Sequence, residues 1–329
     1  MRAAVVRAYG PPDGVEVGDV PKPVAEAGQL VVRVHTSTVN MGDTEIRASN
    51  MPWLFRVPIR LWLGVLRPKP STILGMELAG VVAEAGEGTE GFAVGDEVVG
   101  ASSMGFGAHA DFARVDAGGL VVRKPAGLTT GEVAPLPVAG LAALGYLRRG
   151  GIEGAKTVLI RGASGAIGTY AVQLAKHFGA EVTAVCGTQA VERMRELGAD
   201  VVIDYTQAEF DAGERTYDLI LDVVGKQPVG RFVRCLTARG AYVRGTVPGL
   251  WEVCVALWFW VASRKRVVMG DAGACVEDLR LLVELLESGK LRSVIDRRYP
   301  LEQIADAHAY VETGHKQGHV LIEVSAPQT

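Results

Sequence analysis

Two hydrophobic rhythms divide the chain. From residue 2 to about 122, apolar residues come in short β-rich runs, clearest at Ala3–Val6, Leu30–Thr38, Leu78–Ala85, Glu97–Val99, Ala110–Val115 and Leu120–Val122. Glycine, proline and acidic turns cut between them. No long helical period appears before the segment Asp43–Leu66, so this region predicts an irregular, partly open β-barrel. Inside that segment, Trp53-Leu54-Phe55 and Ile59-Arg60-Leu61-Trp62-Leu63 mix aromatic, aliphatic and basic residues. That mixture fits either a lid over an apolar cleft or a surface helix docking its apolar face.

From about Leu128 the texture changes. Ala134–Leu147 predicts an apolar helix, with Pro135 and Pro137 near its start, where proline is tolerated. Strands are then predicted at Thr157–Ile160, Glu181–Cys186, Val201–Ile203, Asp218–Val223, Ala241–Gly245 and Val267–Met269. Helices fall between them at Ala166–Phe178, Ala190–Leu197 and Val229–Leu236. Regular alternation of this kind predicts a doubly wound parallel sheet. Val276–Ser288 carries Leu279, Leu282, Val283 and Leu286 on one stripe and stops at Gly289, so it reads as a helix. The tail from about Ile295 returns to strand at Val320–Val324, where the chain is expected to rejoin the first domain. The domain reading is therefore 1–124 with 295–329 for the barrel, and 125–294 for the parallel sheet.

The stretch from Lys156 to Gly187 carries the strongest chemical signal. After the first buried strand, Gly162, Gly165 and Gly168 follow at three-residue spacing and open a helix; a parallel strand comes next. One glycine allows the tight turn, one lets backbone approach a pyrophosphate, and one lets helix and strand pack closely. The amides of Gly162, Ser164, Gly165, Ala166, Ile167 and Gly168 would then face the paired phosphates of a dinucleotide at a positive helix end. Ala163 stands where the usual motif has its first glycine, and a ligand-free glycine turn is the competing reading.

Composition narrows the function classes. The 329 residues are 48% apolar and 22% charged with net charge −3, the balance of a soluble globular protein with no basic surplus for nucleic acid. Cys186, Cys235, Cys254 and Cys275 form no C-x-x-C pair, which argues against structural zinc and disulfides and fits a reducing cytoplasm. The N-terminal residues lack an apolar signal core, so no export is expected. The most hydrophobic run, Leu250–Ala262, is about thirteen residues and contains Glu252. A span needs about twenty, so it reads as a buried or interface helix.

An ordered set of short motifs resembles the medium-chain dehydrogenase/reductase superfamily, and more narrowly its zinc-free quinone oxidoreductase branch. They are Val39-Asn40-Met41-Gly42-Asp43, Leu74-Gly75-Met76-Glu77-Leu78-Ala79-Gly80, Gly95-Asp96-Glu97-Val98 and Gly107-Ala108-His109-Ala110-Asp111-Phe112. Leu136-Pro137-Val138-Ala139-Gly140-Leu141, Leu197-Gly198-Ala199-Asp200 and Ile203-Asp204-Tyr205 complete the set. The resemblance implies a GroES-like β-barrel catalytic domain, a Rossmann NADP(H)-binding domain, and an active site in the cleft between them. Val223, Val224 and Gly225, residues 246–249 with Val247, and residues 251–260 are expected to form the cleft's other wall. Gly318, in the C-terminal loop Gly314–His319, is an expected cofactor contact, although His319 stands where that loop often has lysine. The resemblance also implies a homodimer, burying some of the rings of Trp258, Phe259 and Trp260.

The cofactor expectation is NADPH. A carboxylate about twenty residues past the glycines marks NAD sites by bonding the ribose 2′-hydroxyl. Here the second strand ends Cys186-Gly187-Thr188-Gln189 without one, which leaves room for a 2′-phosphate. By resemblance Thr188 and Tyr205 match two of the groups that hold this phosphate. The expected basic residue is missing, since Ala190 and Val191 occupy its place, and Arg193 or Arg195 would have to substitute. Both arginines also read as solvated helix-face charges.

No metal is expected. Zinc relatives use sulfur and nitrogen ligands where this chain has Asn40, Asp43 and Met76, and no cysteine precedes residue 186. Without a Lewis acid, the suited substrate is a small apolar quinone or α,β-unsaturated carbonyl. Asn40 is the first choice for an orienting donor, against its reading as a helix cap, and Glu45 stands where the branch often has a substrate-facing tyrosine. Asp43 and His109 are weaker candidates. An enoyl-thioester reductase, and an NADPH-binding redox-responsive protein without turnover, are the competing functions.

Overall fold

A computed structural model describes residues 1–211, 215–246, 265–270 and 272–325. Val247 and the aromatic stretch 251–260, including the rings expected at a dimer contact, lie outside the described residues. The chain divides into two compact units: Met1–Val138 with Cys275–Ser288 and Ser293–Thr329, and Ala139–Ala274 with Gly289–Arg292.

The first unit is organised on one long strand. β1 (Arg2–Val6) and β2 (Val15–Asp19) pair antiparallel. β3 (Gln29–Val39) follows, and then α1 (Met41–Ala48) and α2 (Trp53–Leu63). The predicted stretch Asp43–Leu66 is two helices because Ser49 turns left-handed at φ 54° and Pro52 precedes the second start. β4 (Glu77–Ala85), β5 (Glu97–Ala101), β6 (Phe112–Asp116) and β7 (Val121–Arg123) complete the N-terminal strands. β3 pairs antiparallel with β4 along most of its length and with β6 at its start. Alternate residues Leu30, Val32, Val34, Leu78, Val98 and Val115 point into one buried apolar cluster.

The predicted helix over Ala134–Leu147 is broken in the structure. A short α3 (Thr130–Val133) is followed by a π-helical turn at Leu136–Gly140, and then α4 (Leu141–Gly150). Pro135 and Pro137 have no N–H to give to a regular i−4 ladder. The Val138 N–H instead donates to the Glu77 carboxylate at 2.7 Å.

The second unit alternates strand and helix: β8 (Thr157–Arg161), α5 (Ala166–His177), β9 (Glu181–Cys186), α6 (Val191–Glu196), β10 (Val201–Asp204), β11 (Tyr217–Asp222), α7 (Val229–Arg234), β12 (Leu236–Arg244) and β13 (Arg266–Val268). All six strands are parallel, in the order β10-β9-β8-β11-β12-β13. In order of first appearance that is 3-2-1-4-5-6, the doubly wound Rossmann arrangement, with its switch point between β8 and β11. Stacked Phe210, Phe232 and Tyr242 fill one face. After α8 (Val276–Glu287), β14 (Ile295–Pro300), α9 (Ile304–Glu312) and β15 (His319–Glu323) return to the first unit, where β15 lies antiparallel to β3. The α/β fold class read from the sequence, a GroES-like β-barrel plus a Rossmann doubly wound sheet, is the fold observed; the barrel sheet is antiparallel apart from the parallel pair β14–β15.

Candidate functional site

In the second unit, the glycine turn sits at the carboxyl end of β8, where ligands of open α/β sheets bind. Gly162 has φ +80°, and a Cβ on it would meet Val223 and Val224 methyls at 2.8 Å. A Cβ at Gly168 would lie 2.1 Å from the Gly162 carbonyl oxygen. The structure thus brings Gly162, Gly168, Val223 and Val224 together, and only glycine permits it. α5 begins at Gly165 with no side-chain cap, and Ser164 through Ile167 remain partly solvent-accessible. Of the amides expected at the phosphates, the Gly162 N–H donates to the Val185 carbonyl at 3.2 Å and the Gly165 N–H to the Gly162 carbonyl at 3.1 Å, so the cradle falls to the uncapped first turn of this twelve-residue helix and its positive dipole end. The residues present fit a dinucleotide.

Asp222, which sequence reasoning passed over, builds the neighbouring loop. It is fully buried at the end of β11. One carboxylate oxygen accepts from the Val224 N–H at 3.0 Å, the Gly225 N–H at 3.1 Å and Arg161 Nη1 at 3.2 Å; the other accepts from Tyr242 Oη at 3.1 Å. Arg244 Nη2 donates to the Gly225 carbonyl at 2.6 Å. The loop that walls the glycine turn is therefore held from both sides. Burial first, and the Asp222 charge second, raise the Tyr242 hydroxyl above its ordinary range.

At the end of β9, Gly187 lies under the Tyr205 ring, whose hydroxyl would be 3.3 Å from a Cβ there. Tyr205 itself is 61% exposed. Thr188 Oγ1 donates to Asp204 Oδ2 at 2.7 Å and lies 3.0 Å from Thr206 Oγ1. Asp204 also accepts from the Thr206 N–H and hydroxyl and from Gln207, and these bonds, Thr188 first, hold its carboxyl below the usual range. A carboxylate does stand at this corner, delivered by the adjacent strand β10 and not by β9. Arg195 pairs with Glu192 on its own helix at 3.0 Å, and Arg193 is half-buried on α6.

The first unit holds the other sequence candidates. Asn40 is the N-cap of α1: its Oδ1 accepts the Asp43 N–H at 3.1 Å, and Asp43 accepts the Asn40 N–H at 3.0 Å in a reciprocal box. The Asn40 Nδ2 is buried without an acceptor. Cap and donor are thus compatible roles on opposite ends of one amide. Asp43 is fully buried, and its other oxygen accepts the Gly75 N–H at 3.0 Å; burial raises its carboxyl above the ordinary value. Glu45 faces outward on α1, although the protein around it displaces enough water to raise its carboxyl too. His109 is buried, with Nε2 2.9 Å from the Thr38 carbonyl.

Glu77 is the least expected group. It is buried, accepting from Thr38 Oγ1 at 2.5 Å and from the Val138 N–H, and burial pushes its carboxyl up to about 8. Lys316, whose Nζ donates to the Gly318 carbonyl at 2.8 Å, is pushed down to about 8 by desolvation, opposed by Asp296 and Glu77. Gly318 itself is closely packed: a Cβ on it would lie 2.2 Å from the Val294 carbonyl oxygen.

The zinc position of related enzymes does not fit these side chains. Both Asp43 oxygens, both Glu77 oxygens and the Asn40 oxygen are already committed to hydrogen bonds. Met76 offers only a thioether. Among the described residues no group of three or more His, Cys, Asp or Glu is placed to hold a metal ion.

A barrel unit carrying buried polar groups and a Rossmann unit with a phosphate cradle are the two parts of the nicotinamide-dependent oxidoreductase class. Residues 26–126 match the alcohol dehydrogenase GroES-like domain, and residues 197–322 match the family described as zinc-binding dehydrogenase. The chain is 32% identical to a chloroplast envelope quinone oxidoreductase homolog of Arabidopsis thaliana, covering 98% of both chains. It is 28% identical to an NADPH-dependent alkenal/one oxidoreductase of the same plant, over 98% of this chain and 79% of the relative. The solved quinone oxidoreductase of Coxiella burnetii superposes with a TM-score of 0.87 at 27% identity over 99% of each chain. The chain belongs to the medium-chain dehydrogenase/reductase superfamily, in its quinone oxidoreductase branch, and is an oxidoreductase working with an NAD(P)H-type cofactor.

Proposed function

We propose that the protein reduces a small apolar quinone or α,β-unsaturated carbonyl with NADPH and without zinc. The observation that carries this reading is the glycine turn of β8–α5, packed under Val223 and Val224 and opening onto an uncapped helix start. When bound there, the nicotinamide supplies a hydride to an electron-poor carbon, and the resulting enolate or quinol anion takes its proton from water. The chain's own share is positioning and charge stabilisation. Gly162 through Gly168 hold the pyrophosphate, and Asp222 fixes the loop that walls the turn. Asn40 Nδ2, desolvated and without another acceptor, donates to the developing oxyanion.

The zinc-free part of the reading is supported by the donor set, which is occupied by hydrogen bonds. Preference for NADPH is supported by the absence of a carboxylate at the end of β9 and by Thr188 and Tyr205, while Asp204 limits how strong the preference can be. The proposed setting is a reducing cytoplasm, which the buried, free thiols of Cys186 and Cys235 fit, with the chain as a homodimer.

Following NADPH absorbance with a quinone, a short enone and an enoyl-thioester tests the reaction. Turnover of the first two supports the reading. Turnover only with the thioester would replace it with an enoyl-thioester reductase, and tight NADPH binding with no turnover would leave a non-catalytic binder. A calorimetric titration in which NADH binds as tightly as NADPH would remove the cofactor assignment.

A further inference from the structure

Seven of the eleven large apolar side chains that stand exposed among the described residues fall within fourteen positions, on α2 and the turn after it. Trp53, Val57 and Leu61, at helical spacing of four, are 61%, 50% and 68% exposed; Leu66 is 89% exposed. The helix is anchored from its other side by buried Leu63 and half-buried Ile59, both packed against the barrel core, and by the Trp62–Phe106 ring contact. Its outward stripe has no covering element among the described residues.

The charge of this segment is equally one-sided. Residues 46–76 contain no Asp or Glu, although the whole chain carries a net charge of −3. Arg56, Arg67 and Lys69 are exposed around the apolar stripe, and Arg60 stacks over the Tyr9 ring at 4.3 Å. None of the four is ion-paired among the described residues.

We infer that α2 and the following turn dock onto an anionic lipid surface, with the tryptophan and aliphatic side chains in the headgroup boundary and the cations over lipid phosphates. Exposed Trp, Phe and Leu beside Arg and Lys is the composition of a helix lying in the membrane interface. Eleven residues rise only about 16 Å, roughly half a bilayer core, so the helix lies on the surface and does not cross it. Charge separates this occupant from a second copy of the chain. A two-fold contact through this face would set each cationic patch against its own image, with no acidic residue in the segment to offset it. The inference stands apart from the catalytic reading and survives its failure.

Flotation of the full chain with vesicles tests it. Binding is expected to vesicles of phosphatidylglycerol with phosphatidylcholine, to be weak with phosphatidylcholine alone, and to fall steeply as salt is raised. The exposed pair Arg67→Gln with Lys69→Gln should weaken partitioning about thirtyfold, at about fivefold for each cation near an anionic surface. Leu61→Ser should weaken it about tenfold through lost apolar contact. Salt dependence of the unaltered chain keeps the test valid should Leu61→Ser fold poorly. Equal binding to both vesicle types, no binding to either, or glutamine variants that float unchanged would overturn the inference. So would a Leu61→Ser variant whose only effect is to split a dimer in sedimentation equilibrium, which would assign the face to self-association.

Discussion

The Thr188 hydroxyl donates to the Asp204 carboxylate across 2.7 Å, joining the end of β9 to the end of β10. At the corner where Rossmann proteins distinguish the two nicotinamide cofactors, a negative charge therefore sits one hydroxyl away from the predicted 2′-phosphate contact. Asp204→Asn removes that charge and keeps an oxygen able to accept from Thr188. The expected outcome is a severalfold gain in NADPH affinity with little change for NADH, read as the ratio of the two Kd values by calorimetry. A ratio that does not move would place the 2′-phosphate away from this carboxylate.

Asp222 presents a different kind of control. Four donors converge on one fully buried carboxylate, two of them the backbone N–H groups of Val224 and Gly225. Asp222→Ala strands those donors and leaves Arg161 without its partner, a loss of about 3 kcal/mol or more for breaking a buried charge pair. Cofactor Kd should rise more than tenfold at a temperature where circular dichroism still reports a folded chain. A folded variant with unchanged Kd would mean that the loop needs no anchor to meet the cofactor.

How far this was legible in the sequence follows from how local each signal is. The β8–α5 turn was readable because three glycines, a β-branched run and a helical period lie within thirty residues. β3 and β4 were readable because each is a run rich in apolar and β-branched residues, and the structure buries most of both. β2 was not, since Glu16, Gly18 and Asp19 take three of its five positions and its pairing with β1 comes from outside the segment. The short α9 carries His308 and Tyr310 among alanines and shows little period until Ile304, Ala307 and Val311 are seen packed on the barrel. Asp204 and Asp222 gain their roles only when β10 lies beside β9 and β11 beside β8, an adjacency that parallel crossover topology creates between residues far apart in the chain. Asn40 was readable both as a cap and as a donor; the structure shows the cap on the amide oxygen and leaves the nitrogen buried without an acceptor.

Glu77 should leave a signature in the pH dependence of stability. Its carboxyl lies at about 8 in the folded chain, against an ordinary 4.5. A group raised in this way favours the folded state below its ordinary value, and that contribution is lost as pH rises through the folded value. Glu77→Gln removes the titrating group while keeping an oxygen for the Val138 N–H. The variant's stability relative to the unaltered protein should therefore climb by about 2 kcal/mol between about pH 5 and about pH 7. Urea melts at both values measure it, and parallel curves for the two proteins would show Glu77 ionising normally.

Asn40 offers the sharpest division between structure and chemistry, because its two amide atoms do separate work. The oxygen caps α1, and losing such a cap costs about 1 kcal/mol. The nitrogen is buried with no acceptor of its own, which is the state expected of a donor waiting for substrate oxygen. Asn40→Ala removes both atoms, whereas Asn40→Ser keeps a capping oxygen and removes the second donor. If the nitrogen stabilises the oxyanion, both variants should lose about a hundredfold in kcat/KM, while only the alanine loses the cap's contribution to Tm. Glu45→Ala, on the outward face of the same helix, should lose much less activity than either. A serine variant with near-normal turnover, or a Glu45 variant worse than both, would make Asn40 a helix cap alone and return the proton and oxyanion chemistry to the carboxylate.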